Sequence, residues 1–274
     1  QEICTAIKDQ PVSDKTINKE DKESAAPLPY NLLNLQIDAS RKFGYAPDKT
    51  LKLTQTLREK HRLITYNRSD CQYLSDEHHD DAPRVLDAIA KTAPVLAKAA
   101  GSGDPAIKSR AFNSKNVSAH HAIIPTEKTA DLSRLEDGEA KLYLLIARAY
   151  IAQFFPKYGY CQTTIDLTIA GYDFRSTARV TTVEGWKKLY RQDKDNDAIE
   201  DDAAHGGGEN LDWVMPESEL FCRDIDNIKK ETKPPAPYTM AALLKDLTRV
   251  SKYITDPKIK KLLLAKAPDK KGEQ

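Results

Sequence analysis

The sequence predicts an α+β protein in which a helical domain interrupts a β-rich one. Two observations lead to this prediction. Residues 1–26 hold one short apolar run followed by charged, alternating sequence, and clean period-two alternation returns in residues 163–183; both patterns are typical of strands that are exposed on one face. Between these segments, apolar residues recur at helical spacing. We therefore expect an extended segment, an inserted helical domain and a β-rich remainder.

The composition limits the classes of protein that the chain can represent. It has 274 residues with 42 Lys+Arg against 41 Asp+Glu, a formal charge of +1, so any nucleic-acid surface must be local. The sequence has no long apolar run and no signal pattern, so we expect neither a membrane span nor secretion. Four dispersed cysteines predict a reduced, cytoplasmic protein. A start without Met and an end next to a helical pattern predict a piece of a longer protein.

The first helices of the inserted domain follow in a recognisable order. Asn31 precedes an apolar run that predicts an N-capped amphipathic helix ending at Gly44. A second predicted helix begins at Pro47 and ends near Lys60, and the β-prone residues 63–66 come directly after it. Helix, turn, helix and strand is the order of a winged helix-turn-helix.

The second of these helices carries four basic side chains. They predict a DNA-binding side that faces phosphates. The alternative interpretation is an ordinary solvated helix face. The four residues are Lys49, Lys52, Arg58 and Lys60.

Two further helices and a hairpin are predicted in the middle of the chain. Residues 82–100 form an apolar helical pattern that ends in Gly-Ser-Gly, and residues 137–155 predict a long, well-buried helix. Residues 163–170 and 174–183 alternate cleanly and are separated by Gly-Tyr-Asp. We expect these two segments to form a β-hairpin.

The last third of the chain has weaker patterns. Residues 193–210 predict an acidic, glycine-bearing loop, because they contain too few apolar residues to pack. Strands are predicted at Phe221 and at residues 225–230. After a proline cluster, residues 239–250 and 256–265 predict two helices.

The sharpest candidate for chemistry is a tyrosine two residues before an arginine. In an extended chain, Tyr66 and Arg68 would share a face, roughly 7 Å apart. The phenol oxygen would then meet a phosphate held by the guanidinium. A tyrosine of pKa about 10 is only ~0.1% ionised at neutral pH, so this chemistry needs cationic neighbours or a metal-polarised target. The alternative is a structural tyrosine beside a surface arginine.

A second candidate lies in residues 118–126. His120 and His121 are adjacent, so in a strand they cannot both face one site, and we do not expect a paired metal site. One imidazole can hydrogen-bond a phosphate. The alternative is a loop histidine satisfied by backbone groups. Neither a Gly-x-Ser-x-Gly elbow nor a Walker loop occurs, so no esterase-type hydrolase or nucleotide cradle is indicated.

Several motifs occur in a fixed order along nearly the whole chain. Together they resemble the type IA DNA topoisomerases, and within them the bacterial topoisomerase III branch. The motifs that contain Tyr66 and His120 are specific when they occur together. The matching segments are Ala26-Pro-Leu-Pro-Tyr-Asn-Leu-Leu-Asn-Leu-Gln-Ile-Asp-Ala-Ser40, Lys49-Thr-Leu51, Gln55-Thr-Leu57, Leu63-Ile-Thr-Tyr-Asn-Arg-Ser-Asp-Cys71, Ala119-His-His-Ala-Ile-Ile-Pro-Thr126, Gly185-Trp186, Tyr238 and Tyr253-Ile-Thr-Asp-Pro257.

The resemblance implies a role for each candidate residue. Tyr66 would attack a single-stranded DNA phosphodiester, which forms a 5′-phosphotyrosyl link and releases a 3′-hydroxyl. Arg68 would orient and neutralise the scissile phosphate, and His120 would hydrogen-bond a nearby phosphate. Strand passage through a toroidal gate and religation would follow without ATP, because the phosphotyrosyl link conserves the bond energy. The alternative is a non-catalytic winged-helix DNA-binding module.

The resemblance also implies parts that this chain lacks. The Mg²⁺ ligands and the general-acid glutamate and lysine would lie in a Toprim domain outside it. We therefore expect no metal site within the chain, and weak binding of single-stranded DNA without cleavage by the chain alone. A helicase partner in the bacterial nucleoid is compatible with this family.

The same resemblance predicts domain boundaries and two departures. Residues 1–26 plus 160–235 would form a β-rich hinge or gate domain, residues 27–159 the helical winged-helix-like domain with the active-site tyrosine, and residues 236–274 the truncated start of a further helical domain. Asn67 stands where the family usually has Pro or Met, and Gln72 where Arg is common. Asn67 also makes a degenerate, element-borne relative with altered activity conceivable.

Overall fold

The computed structural model shows a mixed helical and sheet protein. Within the described residues, the secondary structure comprises α1 (Glu2–Ile7), β1 (Val12–Ser24), α2 (Leu32–Phe43), α3 (Pro47–Glu59), α4 (Glu77–Asp80), α5 (Ala82–Thr92), α6 (Pro94–Ser102), α7 (Asp137–Ile151), β2 (Tyr158–Ile169), β3 (Tyr172–Val183), α8 (Met240–Leu247) and α9 (Pro257–Lys266). The structure describes residues 2–191, 211, 213–232, 234, 237–247 and 253–266. The predicted acidic loop at 193–210 lies outside them.

The sheet joins two segments that are far apart in the sequence. Its three strands are antiparallel in the order β1-β2-β3. Ile17 of β1 pairs with Ile165 of β2, and Thr163 of β2 pairs with Ala178 of β3. The side chains of Ile165 and Ala178 are buried. The predicted hairpin is confirmed, and the helices α2–α7 are inserted between β1 and β2.

The extended strand predicted in residues 1–26 is confirmed as β1, but the first apolar run of that segment is not a strand, and the strands predicted at Phe221 and at residues 225–230 do not form. Glu2–Ile7 is the helix α1, in which Ile7 is 1% exposed; a short apolar run does not distinguish a buried helix from a strand by its period alone. Phe221 forms only an isolated bridge, with Pro11, and residues 222–230 form no strand. The backbone pairing with the chain before β1 involves Leu220 and Cys222, through hydrogen bonds with residues 9–12.

The inserted helices pack around one hydrophobic core. The predicted caps of α2 are confirmed, because the Asn31 side chain accepts a hydrogen bond from the Asn34 N–H at 2.8 Å and Gly44 is left-handed at φ +66°. The single helix predicted at 82–100 is wrong. Pro94 has no N–H and cannot continue a helix, so the chain breaks at Ala93 into α5 and α6.

The long buried helix predicted at 137–155 is confirmed as α7 and a following 3₁₀ turn. Its fully buried side chains include Leu142, Tyr143, Ile146, Tyr150 and, in the turn, Phe154. Burial raises the pKa of Tyr143 to about 12. These side chains form much of the core on which α5 and α6 pack.

A short 3₁₀ helix at Gly185–Tyr190 joins the sheet to the helical domain. The Trp186 N–H donates to the Pro156 carbonyl at 3.0 Å, and the Trp186 indole N–H donates to the Ser24 carbonyl at 2.9 Å. One residue therefore ties the end of β1 to the chain that enters β2. The indole is buried, so this junction is fixed by packing as well as by hydrogen bonds.

The two helices predicted near the C-terminal end are confirmed over the described residues. They are α8 and α9, and α8 packs on α2. The domain boundaries at 26, 159 and 235 stay predictions.

Candidate active site

A short antiparallel pairing places Tyr66. The Thr65 N–H donates to the Ile124 carbonyl at 3.0 Å, and the Thr126 N–H donates to the Leu63 carbonyl at 3.0 Å. The Thr65 hydroxyl adds a hydrogen bond to the Ala122 carbonyl at 3.1 Å. Because the chain that precedes this partner segment contains His120, the pairing brings the two predicted motifs to one place.

Tyr66 contacts an imidazole and a guanidinium. The ring centroids of Tyr66 and His120 are 4.2 Å apart, and the guanidinium carbon of Arg58 lies 4.6 Å from the Tyr66 centroid. Tyr66 is half-buried and His120 is exposed. The phenol is therefore not sealed in the core, and it has a cationic neighbour of the kind that a tyrosine nucleophile needs.

The predicted strand geometry of Tyr66 and Arg68 is wrong. The pairing ends at Thr65, and residues 67–68 form a turn in which the Asn67 side chain is buried. Arg68 is exposed, and no hydrogen bond or ion pair to its side chain is seen within the described part of the chain. The structure thus brings together Tyr66, His120 and Arg58, and leaves Arg68 on the surface of the adjacent turn.

Asn67 anchors this turn to α3. Its side chain is 1% exposed, and its amide nitrogen donates to the Thr54 hydroxyl at 3.2 Å. Thr54 is itself fully buried and donates to backbone carbonyls of α3. The residue that departs from the family pattern is therefore buried and joined to α3 by a side-chain hydrogen bond, which anchors the backbone between Tyr66 and Arg68.

We expect Asn67→Ala and Thr54→Ala each to lower the free energy of unfolding. Removal of a buried hydrogen bond that leaves its partner unsatisfied costs about 1–3 kcal/mol, and the double variant should lose less than the sum of the two. Urea unfolding of the four proteins measures this coupling. Asn18→Ala, which removes an exposed hydrogen bond to Glu20, should change stability by less than about 0.5 kcal/mol. Strictly additive effects would contradict the anchoring role.

His121, the residue after His120, lies against a second histidine. His121 contacts the His78 ring at a centroid distance of 4.2 Å, and its Nδ1 lies 2.8 Å from the Ala122 carbonyl oxygen. Burial lowers the pKa of both His78 and His121, and repulsion from His78 further lowers that of His121. His120 and His121 thus contact different rings, those of Tyr66 and His78.

The four basic residues of α3 do not form one surface. The Lys49 ammonium lies 4.1 Å from the centroid of the Tyr45 ring. The Lys52 ammonium nitrogen lies 3.9 Å from a carboxylate oxygen of Asp48. Lys60 is exposed at the helix end. Lys49 and Arg58 are about two and a half turns apart, so they project from opposite sides of the helix. Their role in DNA binding stays a prediction.

Comparison with known proteins decides the family. The profile of a family described as DNA topoisomerase matches residues 1–252. The chain belongs to this family. Its curated relatives confirm the resemblance to type IA enzymes of the topoisomerase III branch. The fold brings the motifs that contain Tyr66 and His120 into contact with each other.

Two relatives and one solved structure show the extent of the similarity. The chain is 38% identical over 264 residues to DNA topoisomerase 3 of Vibrio cholerae, covering 95% of the chain and 39% of that protein. It is 39% identical over 247 residues to DNA topoisomerase 3 of Pasteurella multocida, covering 90% and 36%. The fold is similar to part of the structure of full-length topoisomerase I from Thermotoga maritima, with a TM-score of 0.62 at 24% identity, over 96% of this chain and 42% of that one. The chain spans about two fifths of its curated relatives.

Clustered metal ligands and membrane-spanning helices are both absent from the described residues. In residues 2–191 and the shorter described stretches that follow, no three His, Cys, Asp or Glu side chains lie together in a way that would hold a metal ion. Over the same residues, every helix is too short or too polar to cross a bilayer.

Proposed function

We propose that this chain is the tyrosine-bearing part of a type IA DNA topoisomerase, which breaks one DNA strand, allows another to pass and rejoins the first. The observation that carries the proposal is the contact of the Tyr66 ring with both His120 and Arg58, at an accessible turn. The topoisomerase 3 relatives support it, as does the joint presence of both motifs.

The proposed reaction is a reversible transesterification. The Tyr66 hydroxyl oxygen attacks the phosphorus of a single-stranded phosphodiester and loses its proton. The bond from phosphorus to the 3′ oxygen breaks, and that oxygen leaves as a 3′-hydroxyl after it takes up a proton. One phosphoester bond replaces another, so no ATP is consumed. Religation is the reverse attack by the same 3′-hydroxyl.

The neighbouring cations and the imidazole have distinct parts in this proposal. Arg68, exposed on the turn after Tyr66, would orient and neutralise the scissile phosphate through its fork of donors. His120 would donate a hydrogen bond to a nearby phosphate. Arg58 lies against the ring of Tyr66 and would favour negative charge as it develops on the phenol oxygen. The basic residues Lys49, Lys52 and Lys60 would contact the DNA backbone away from the reaction.

Mg²⁺ is assigned to a different part of the protein. The described residues of this chain do not fit such a site, since no three candidate ligands gather. We propose that a Toprim domain on another segment supplies the acidic ligands and the proton donor for the leaving 3′ oxygen.

We propose that α2, α3 and the paired segments around residues 64 and 125 form a winged-helix-like unit that carries Tyr66, and that the sheet forms the hinge of the gate. We place the complete protein in the cytoplasm at the nucleoid, with single-stranded DNA as substrate; a helicase partner is compatible with this. The non-catalytic winged-helix module is not favoured, because the relatives are topoisomerases.

A chimera tests the division of labour. The chain alone and a Vibrio cholerae topoisomerase 3 in which this chain replaces the matching segment are incubated with Mg²⁺ and single-stranded DNA labelled at its 3′ end. We expect the chain alone to bind the DNA weakly without a covalent adduct, and the chimera to form one. The unaltered Vibrio cholerae protein is the positive control. An adduct formed by the chain alone would refute the need for a second domain, and a folded, DNA-binding chimera without an adduct would refute the function.

A further inference from the structure

A cavity of about 590 Å³ lies between the helical domain and the sheet, apart from the Tyr66 site. Its walls come from the chain before α2, from α2 itself, from β2 and β3, from the 3₁₀ helix at Gly185–Tyr190 and from α8. Neither Tyr66, Arg68, His120 nor Arg58 lines it. The cavity is large enough for a small organic group.

Positive charge dominates the walls of this cavity. Five cationic side chains line it against one carboxylate, that of Asp38. Asp38 is already engaged, because it accepts a hydrogen bond from the Tyr30 hydroxyl at 2.6 Å and lies 3.8 Å from Arg41. The field inside the cavity therefore favours an anion. The five cationic residues are Arg41, Arg110, Arg179, Lys187 and Lys245.

Aromatic rings alternate with these cations. The Lys187 ammonium lies 3.8 Å from the centroid of the Tyr158 ring, and the Arg179 guanidinium lies 5.1 Å from that of Tyr160. The two tyrosines are themselves stacked, with centroids 5.4 Å apart and an interplanar angle of 28°. Tyr160 and Tyr190 are half-buried, so parts of both side chains remain accessible. The cavity thus offers anion-binding groups and ring surfaces together.

We propose that this cavity binds a segment of single-stranded DNA, as a second site separate from Tyr66; this rests on the proposed function, which supplies the strand. The guanidinium and ammonium groups would bind phosphates, and unpaired bases would stack on Tyr160 and Tyr190. Paired bases in a duplex do not offer their faces to such rings. Because the site bridges the inserted helices and the sheet, a strand held there contacts both parts of the protein.

Two variants of equal charge change test the site. Arg110→Ser with Lys187→Ser removes two cations from the cavity, and Lys98→Ser with Lys128→Ser removes two exposed cations elsewhere. Binding of labelled oligothymidylate to the chain is measured at several salt concentrations. We expect the cavity variant to bind about tenfold more weakly, with the salt slope reduced by about 0.7 for each phosphate that is no longer neutralised. The control should bind within about twofold of the parent chain. Equal weakening in both variants would overturn the proposal.

Photocrosslinking locates the strand without any substitution. An oligonucleotide that carries 5-iododeoxyuridine crosslinks to aromatic side chains that it touches. We expect crosslinked peptides that contain residues 158–160 or 186–190. Crosslinks confined to the peptide with Tyr66 would overturn the cavity site.

The two proposals fail in different ways. A Tyr66 adduct in the chimera without cavity crosslinks removes the second site alone. Cavity crosslinks in a folded, DNA-binding chimera that forms no Tyr66 adduct would leave a nucleic-acid site and remove the proposed function.

Discussion

Replacement of Tyr66 by Phe is expected to abolish covalent capture of DNA by the chimera while DNA binding is retained. The substitution removes one oxygen, the proposed nucleophile, and keeps the ring that contacts His120 and Arg58. Loss of a nucleophile of this kind costs at least about 10⁴-fold in rate. The measurement is the yield of adduct with 3′-labelled single-stranded DNA, together with the affinity for the same DNA.

Tyr73→Phe is the matched control for this prediction. Tyr73 is half-buried, seven positions further along the same loop, and its backbone carbonyl accepts a hydrogen bond from the Ala122 N–H at 2.9 Å. The side-chain change leaves that hydrogen bond in place, so adduct formation should be unchanged. Full adduct yield in the Tyr66 variant, or equal loss in both, would show that Tyr66 is not the nucleophile.

Gly185→Ala adds only one methyl group, but we expect it to be among the most destabilising small substitutions in this chain. Gly185 has φ +49°, and a Cβ there would overlap the carbonyl oxygens of Pro156 and Lys157. The backbone must move, which also disturbs the hydrogen bond from the Trp186 N–H to Pro156. We expect a loss of about 2–5 kcal/mol from the free energy of unfolding, because left-handed backbone strain and overpacking add.

Gly171→Ala separates these two causes. Gly171 also has a positive φ, +82°, but a Cβ there would meet no atom within 4 Å. Only the left-handed backbone strain applies, so the free energy of unfolding should fall by about 1–2 kcal/mol. Urea unfolding of both variants gives the comparison. Equal losses would show that the junction at Gly185 is looser than the structure indicates.

Local signals predict much of the fold. Asn31 and Gly44 fix the ends of α2 through capping chemistry that the two residues carry themselves. The β2–β3 hairpin follows from alternation around a glycine turn. The helix at Glu2–Ile7 escapes prediction because its apolar run is too short to show a period. The break at Pro94 escapes it because the apolar pattern continues on both sides of the proline.

The candidate site is predictable in its motifs but not in its contacts. The sequence singles out both Tyr66 and His120, but their meeting depends on the pairing of Thr65 with Ile124, which no local pattern encodes. Arg58 shares α3 with the other cations, although its position about two and a half turns from Lys49 already places it on the opposite side. The buried role of Asn67 has no sequence signal beyond its departure from the family pattern.

In the proposed reaction, the oxygen of Tyr66 becomes esterified to DNA. The most direct measurement is proteolysis of the covalent adduct formed by the chimera, nuclease trimming of the DNA and mass spectrometry of the peptides. We expect a nucleotide attached through its 5′ phosphate to the tyrosine in the peptide that contains Tyr66 and Asn67. A nucleotide found on any other side chain of this chain, with Tyr66 unmodified in the same sample, would contradict it.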